Sequence, residues 1–305
     1  MVSITGDVIE AGEGRKRLSQ LRDFFRRNPM VVIGGVLLSL LIAMALVTAA
    51  FDLWNYLFES KAGPDPMRLN PILRLRPPSG EAWFGTDMFG RDLWARTLWG
   101  SQISLVVGLS VAAFSTVIGL TIGLIVGYFR LADAIVMRVM DGLMAIPTIL
   151  LAIALMSLFG ASVENVIMAI TIPEVPRVVR LVRSVVLSIR EMPYVEAAVS
   201  IGTNPFKIMV RHILPNTIAP LIVQATYVCA AAVLVEAILS FLGAGTPPEV
   251  PSWGNIMAEG RTYFQISPWI IFFPGVLLAL TVLSINVMGD GLRDTLDPRI
   301  ARRMK

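Results

Sequence analysis

The stretch from Glu196 to Pro215, EAAVSIGTNPFKIMVRHILP, carries the most specific residue pattern in this 305-residue chain. It is polar and turn-rich, although long apolar runs surround it. Pro193 suits the first turn of a helix, and Gly202 suits the left-handed backbone that closes one. Asn204 and Pro205 supply a cap and a first-turn proline for a second helix, which we expect to end near Pro215. The chemistry this predicts is recognition of another protein by a helical hairpin.

Bond-making chemistry has little support in the sequence. The chain has a single histidine, His212, and a single cysteine, Cys229, so a His/Cys metal site or a histidine-based triad is implausible. A phosphate-binding loop of the form GxxxxGK[ST] is absent from the sequence. We therefore predict no metal and no cofactor for this chain and no ATP hydrolysis by it. Its energy source must be a partner or an ion gradient, and a membrane enzyme is disfavoured.

The elements that must position this hairpin are membrane helices. The chain is 55% hydrophobic and 16% charged, with a mean hydropathy of +0.70, which is typical of a multi-span membrane protein. Its net charge of +4 gives no sign of nucleic-acid binding. The prediction is an all-α integral membrane protein with a retained N-terminal anchor. Its six transmembrane helices are predicted at residues 30–51, 103–129, 142–159, 163–182, 219–242 and 268–288.

The orientation follows from the distribution of positive charge. If both termini, the link between spans two and three and the hairpin lie inside, about 19 of the 26 Lys and Arg residues face the cytosol and about 7 face outward. The reverse orientation would expel most of this charge. We therefore expect both termini and the hairpin to be cytosolic. Residues 17–28 predict an amphipathic helix that lies on membrane lipid at the inner leaflet.

Several residues inside the apolar runs have more than one interpretation. Glu236 lies within span five, where it could contact a cationic group of a substrate or make a buried structural hydrogen bond. Glu174 is similarly open, and Pro173 and Pro176 beside it predict an irregular, broken span four. Pro147 is expected to interrupt span three. Arg138 and Asp141, three residues apart, predict a local ion pair. Gly119, Gly123 and Gly127 predict a stripe of small residues against which another helix packs.

The hairpin resembles a known motif. Glu196-Ala197-Ala198, then Gly202, then Leu214-Pro215 match without gaps the EAA loop of the permease subunits of bacterial ABC importers. His212 departs from the pattern, which has isoleucine at that position. The resemblance implies that the helix around 196–207 sits in a groove of a separate ATPase subunit. The residues that we expect to couple the two proteins are Glu196, Ala197, Ala198, Gly202, Asn204, Pro205, Lys207, Arg211, Leu214 and Pro215. Small Ala197 and Ala198 would allow close approach, and Glu196 could pair with Arg211.

Two further segments resemble peptide permeases. Residues 84–105 are similar to the GTDxxGRDxxSR stretch of dipeptide and oligopeptide permeases, except that Ala95 replaces serine and Gln102 stands where arginine is common. Residues 286–298, NVMGDGLRDTLDP, resemble the second, C-type subunit of the same family. The outer segment also predicts a local charge network that orders the loop against the start of span two. Its members are Asp87, Arg91, Asp92 and Arg96.

The resemblance implies a type I ABC importer permease in the bacterial inner membrane, forming half of a pore for di- and oligopeptides. Its partners would be a homologous second permease subunit, two ATPase subunits that hold ATP and Mg, and an extracytoplasmic solute-binding protein. The same machinery could import nickel, glutathione or an opine-like solute, and a gradient-driven secondary transporter is a weaker alternative. The predicted regions are an N-terminal segment (1–29), a first helix with an outer scaffold loop (30–101), a permease core (102–291) with the coupling loop (192–215), and a tail (292–305).

Overall fold

The chain is built almost entirely of helices. A computed structural model describes residues 29–59 and 63–296, and across these residues it contains no β-strand. The predicted helix at 17–28 and the end of the tail lie outside the described residues. The α-helices are α1 (Pro29–Phe58), α2 (Leu93–Tyr128), α3 (Arg130–Ala145), α4 (Thr148–Phe159), α5 (Val163–Arg190), α6 (Pro193–Ser200), α7 (Pro205–Phe241), α8 (Trp253–Gly260) and α9 (Trp269–Leu296).

Four helices are long and apolar enough to cross a membrane, namely α1, α2, α7 and α9. The pair α3 and α4 would form a fifth span, broken by a bend of 92°. Pro147 lies at this break, as predicted, because proline disfavours helical backbone at the residue before it. Helix α5 is long enough to cross a membrane but carries more charged residues than these spans, so the sixth span stays a prediction.

Helices α2 and α5 pack together along the glycine stripe. A Cβ atom added at Gly119, Gly123 or Gly127 would lie 2.5–2.6 Å from the Cβ of a valine on α5. The three valines are Val178, Val182 and Val186. Each contact joins residues that are 59 positions apart, so the two helices run parallel. The predicted small-residue stripe is thus a packing surface, where missing side chains let the two backbones approach.

Two expectations for this region are wrong. Helix α5 runs unbroken through Pro173 and Pro176, both buried, because neighbouring helices enclose this part of the helix and can compensate for the missing hydrogen bonds. Asp141 does not pair with Arg138 but accepts a hydrogen bond from Arg180 on α5 at 2.7 Å. Tertiary packing brings the α5 guanidinium closer than the neighbour on the same helix.

The helices define two ends of the molecule. At one end lie the start of α1 and the finish of α9, because a Cβ at Gly34 would meet Val287 and one at Gly291 would meet Val31. Helix α2 finishes there too, because its start meets the finish of α1, where Trp99 Nε1 donates to Asp52 at 2.8 Å. Arg190 at the finish of α5 donates to the Tyr128 carbonyl, so α6 and the start of α7 project from this hairpin end. The scaffold end, opposite, holds the loop at 63–92, the finish of α7, and α8.

Candidate functional site: the interhelical hairpin

The turn of the hairpin is a regular helix-closing motif. Gly202 has φ +75°, and its N–H donates to the Val199 carbonyl at 2.9 Å. The Thr203 N–H donates to the Ala198 carbonyl at 3.0 Å, which completes the two bonds of a Schellman motif. Asn204 then caps the next helix, since its side-chain oxygen accepts from the Phe206 N–H at 2.8 Å. The predicted start, turn and cap of the hairpin are therefore all present.

The second hairpin helix does not end at Pro215, contrary to the prediction. It continues through one π-helical segment, Met209–Ile213, into the long apolar part of α7, Leu214–Phe241. The wider turn directly precedes Pro215, whose nitrogen has no hydrogen to donate. Pro215 therefore sits in the first turn of the apolar helix, where a missing donor costs least. The hairpin and a membrane helix form one continuous rod of 37 residues.

One side of the hairpin packs into the protein core. Val195, Ile208 and Ile213 are at most 1% exposed and belong to the main hydrophobic cluster. Ala198 is also buried there, at 7% exposure. The Ala198 side chain therefore does not face a docking groove, contrary to the expectation. It packs against the hydrophobic core of this chain instead. Ala197 is exposed, as that expectation requires.

The opposite side of the hairpin exposes a mixed surface. Two large apolar side chains are exposed there, Ile201 at 82% and Phe206 at 70%. The charged members of this surface are Glu196, Lys207 and Arg211, all exposed. Exposed apolar residues rimmed by polar ones are typical of protein interaction sites. Sequence reasoning missed Ile201 and Phe206, although large apolar residues flanking a glycine turn in a polar segment were a readable signal.

The base of the hairpin is anchored to neighbouring helices. Arg190 Nη1 donates to the Tyr128 carbonyl at 2.9 Å, which places a cation at the C-terminus of α2. The rings of Tyr194 and His212 lie 6.3 Å apart and join α6 to the start of α7. The proposed pair of Glu196 with Arg211 is not formed, and neither side chain makes any ion pair within the described residues. Backbone hydrogen bonds and buried apolar contacts hold the hairpin instead.

A buried charge cluster fixes the scaffold end. Asp87 Oδ2 accepts from Arg91 Nε at 2.6 Å and from Arg96 Nη1 at 2.7 Å. Glu259 on α8 accepts from both arginines at 2.5 Å, which balances two cations with two carboxylates. Asp92, predicted as a fourth member, instead caps α2 by accepting from the Trp94 N–H at 3.0 Å. Burial raises the pKa of the Asp92 carboxyl, while backbone hydrogen bonds from Trp94 and Ala95 oppose the shift.

Glu236 is enclosed by the protein. It is 0% exposed, and its carboxylate accepts from Ser240 Oγ at 2.9 Å and from Ser104 Oγ at 3.2 Å. Ser240 in turn contacts Thr246, which begins a polar network under the loop before α8. This burial favours the structural hydrogen bond over the substrate contact, which stays a prediction. Glu174 is likewise buried, and it pairs with Arg177 at 3.2 Å.

Comparison with known proteins shows which family this chain belongs to. Residues 115–302 match the sequence profile of the family described as the binding-protein-dependent transport system inner membrane component. The chain belongs to this family. The matched part of this transport permease contains the whole hairpin and its anchors on α2 and α5. Its location is therefore the inner membrane, as the sequence predicts.

Relatives of this permease agree in name and length. It is 53% identical to a probable peptide ABC transporter permease protein of Sinorhizobium fredii over 278 residues, 91% of this chain and 92% of that protein. It is 40% identical to the dipeptide transport system permease protein of Alkalihalophilus pseudofirmus over 276 residues, 90% of this chain and 88% of that one. The predicted resemblance to peptide ABC transporter permeases is confirmed.

The fold also matches a solved structure. A chain of the inward-facing methionine ABC transporter MetNI superposes with a TM-score of 0.56 at 22% identity, covering 67% of this permease and 98% of that chain. The predicted all-α, type I importer permease fold is confirmed, whereas the number of spans and the side of the termini stay predictions.

Proposed function

We propose that this permease forms half of the membrane pore of an ATP-driven importer of di- and oligopeptides, and that the hairpin couples it to the ATPase. Assembly with an ATPase and a solute-binding protein follows from its membership of an ABC importer family. The finer arrangement is part of the proposal. A homologous second permease completes the pore, and two ATPase subunits bind ATP and Mg on the cytosolic side.

The observation that carries the coupling role is the continuity of the hairpin with α7. The exposed surface around Ile201 and Phe206 is joined, through hydrogen-bonded helix without a loop, to a rod long enough to cross the membrane. A helix of 37 residues spans about 55 Å at 1.5 Å per residue. When the ATPase pair closes on the hairpin, the motion therefore reaches the far end of α7 as rigid-body rotation, a common form of gating.

Peptides are the proposed cargo because the relatives described above are named for peptide or dipeptide transport. Import of nickel, glutathione or an opine-like solute is not favoured by these names. A gradient-driven secondary transporter is not favoured either, because it leaves the exposed apolar hairpin without a partner. In this proposal the chain itself binds no cofactor, and the exposed members of the coupling set contact the ATPase. Those members are Glu196, Ala197, Gly202, Asn204, Pro205, Lys207, Arg211 and Pro215.

Crosslinking tests the coupling directly. Cys229 is the chain's single cysteine, so Cys229→Ser provides a cysteine-free background. In that background, Lys207→Cys carrying a thiol-reactive photocrosslinker should capture the ATPase, and nucleotide should change the yield. Glu81→Cys, exposed in the scaffold loop, is the matched control and should capture none. Reconstituted with its partners, wild-type protein should take up dipeptide only with ATP. Uptake by the single chain alone, or ATPase capture at position 81 instead of 207, would refute the proposal.

A further inference from the structure

In the half of α5 nearer the hairpin, the most exposed side chains are all polar, and the apolar ones are buried or partly buried. From residue 169 to its end, the exposed residues are Arg177, Arg180, Ser184 and Ser188, spaced three, four and four apart. This spacing places them on one face of a helix, here called the α5 polar stripe. The exposed face of α2 is different, because it carries large apolar residues such as Leu109 at 60% and Val117 at 63% exposure. The polar stripe is therefore built for surroundings other than lipid.

The depth of Arg177 makes this contrast costly. Its neighbour Val178 packs on Gly119, ten residues before Phe129, where α2 ends. Ten residues correspond to about 15 Å, so Arg177 lies about halfway through the roughly 30 Å hydrocarbon core if the end of α2 marks the edge of that core. The Arg177 side chain is 48% exposed, and an arginine at this depth is expensive unless it faces water or protein. Arg177 must therefore border an aqueous cavity or a partner.

The neighbouring backbone gives a second, independent sign of a cavity. Helices α3 and α4 meet at a 92° break, and Ile146 and Pro147 at the break are both exposed. Non-helical backbone at membrane depth is tolerated only beside protein or water. Asp141, one turn before the break, accepts from Arg180 of the stripe at 2.7 Å. The break and the polar stripe therefore line the same space.

Arg177 has unused hydrogen-bond donors, as does Arg180, which within the described residues donates through Nη2 alone and lies nearer the hairpin. Arg177 Nη1 donates to the buried Glu174 at 3.2 Å, and within the described residues its Nη2 and Nε have no acceptor. The nearby Arg183 instead binds Asp133 through two bonds of 2.5 and 2.7 Å. A guanidinium with two free N–H groups matches the geometry of a carboxylate. A free carboxylate is the one ionised group that every unmodified peptide carries at its C-terminus.

We propose that the α5 polar stripe lines the aqueous path of the solute, and that Arg177 binds the C-terminal carboxylate of a peptide in transit. This inference rests on the proposed function, since it takes a peptide as cargo. The pair with Glu174 holds the guanidinium in place and keeps net charge at this point low. The carboxylate is therefore bound weakly enough to be released toward the cytosol.

Thiol accessibility tests the first half of the proposal. In the Cys229→Ser background, Ser184→Cys and Ser188→Cys should react with a charged, water-soluble methanethiosulfonate in the assembled transporter. The matched control Leu109→Cys, exposed but on the apolar face of α2, should react at least tenfold more slowly. Addition of ATP and vanadate should change the rates at 184 and 188. Equal, slow reaction at all three positions would overturn the lining role, because the stripe would then face a dry interface.

Carboxylate recognition is tested with two forms of one peptide. Arg177→Gln should reduce ATP-driven uptake of a free-acid dipeptide roughly tenfold or more, the factor for losing a hydrogen bond to a charged group. Uptake of the C-terminal amide should stay unchanged, and Arg177→Lys should retain part of the preference for the acid. The double variant Glu174→Gln/Arg177→Gln, which leaves no unpaired buried carboxylate, should behave like the single variant.

The outcomes separate this inference from the proposed function. Equal losses for acid and amide would overturn the carboxylate site while leaving peptide transport intact. If the wild-type complex takes up neither form with ATP, the proposed cargo fails and the carboxylate site fails with it. Reactive cysteines at 184 and 188 would then still establish the stripe as the lining of a path for another solute.

Discussion

Strain at Gly202 gives the sharpest test of the coupling hairpin. Its φ of +75° is a left-handed conformation, and a Cβ added there would meet no atom within 4 Å. A side chain at this position would therefore cause backbone strain without a steric clash. That strain costs about 1–2 kcal/mol for an ordinary L-residue, and more for a β-branched one. The corresponding loss of the native turn is roughly 5–30-fold.

We expect Gly202→Val to lower ATP-driven peptide uptake by at least this factor, because the Schellman turn sets the angle between α6 and α7. Gly202→Asn should stay near wild type, since asparagine tolerates the left-handed region. Membrane insertion, measured by fractionation, and basal ATP hydrolysis by the assembled complex should be unchanged for both variants. Uptake and ATP hydrolysis stimulated by the loaded binding protein are the two readouts in proteoliposomes.

A matched control separates strain from location. Gly160 has φ +81° and open space around its Cβ position, but it closes α4, away from the hairpin. Gly160 has ψ +169°, a combination that essentially only glycine adopts, so Gly160→Val carries a backbone penalty at least as large and should still retain uptake. The reasoning is refuted if Gly202→Val transports normally, or if Gly160→Val loses as much uptake as Gly202→Val.

Three further predictions concern packing and buried polar groups, each measured as thermal unfolding in detergent. Glu259→Ala should destabilise the protein by about 3–5 kcal/mol, because Arg91 and Arg96 lose a buried carboxylate, whereas exposed Glu249→Ala should have little effect. Gly123→Ala should cost about 1–3 kcal/mol, because its Cβ would lie 2.6 Å from that of Val182, and Gly142→Ala, in open space, should cost nothing. Glu236→Gln should keep both stability and uptake, whereas Glu236→Ala should lose about 1–3 kcal/mol by leaving the Ser104 hydroxyl without an acceptor and removing one partner of Ser240. Equal stability within any of these pairs would contradict the role assigned to the residue.

The hairpin was predictable because its determinants are local. Gly202 and Asn204 act on amide groups within five residues, so the sequence alone specifies the turn and the cap. The charge network at Asp87, Arg91 and Arg96 was also readable, since its members lie within ten residues. In both cases the contacting residues are close together in the sequence, so residue type and spacing are enough to predict the contact.

The remaining features depend on contacts between distant segments. Glu259 completes the scaffold cluster from 163 residues beyond Arg96, and no local pattern marks it. Asp141 was assigned to Arg138 by spacing, yet Arg180 on another helix reaches it first. Pro215 suggested the end of a helix because proline is a local signal, whereas the π-helical segment before it lets the helix continue. The Asp141 and Glu259 contacts thus needed the tertiary structure, whereas the Pro215 error came from a backbone form that no residue pattern marks.

In the proposed mechanism, the contacts that hold both ends of α7 convert ATPase docking into gating. At the hairpin end, Asn204 caps α7, and the side chains of Ile208 and Ile213 are buried in the hydrophobic core. At the other end, Glu236 and Ser240 bind the loop that leads to α8, and α8 carries Glu259 into the charge cluster on α2. A rod held by buried polar contacts at one end cannot move alone, because breaking such a cluster costs several kcal/mol. In the proposed mechanism, motion of the hairpin therefore carries α7, α8, the scaffold loop and α2 together, because Arg96 of α2 belongs to the cluster. The polar stripe of α5 then faces the space that opens.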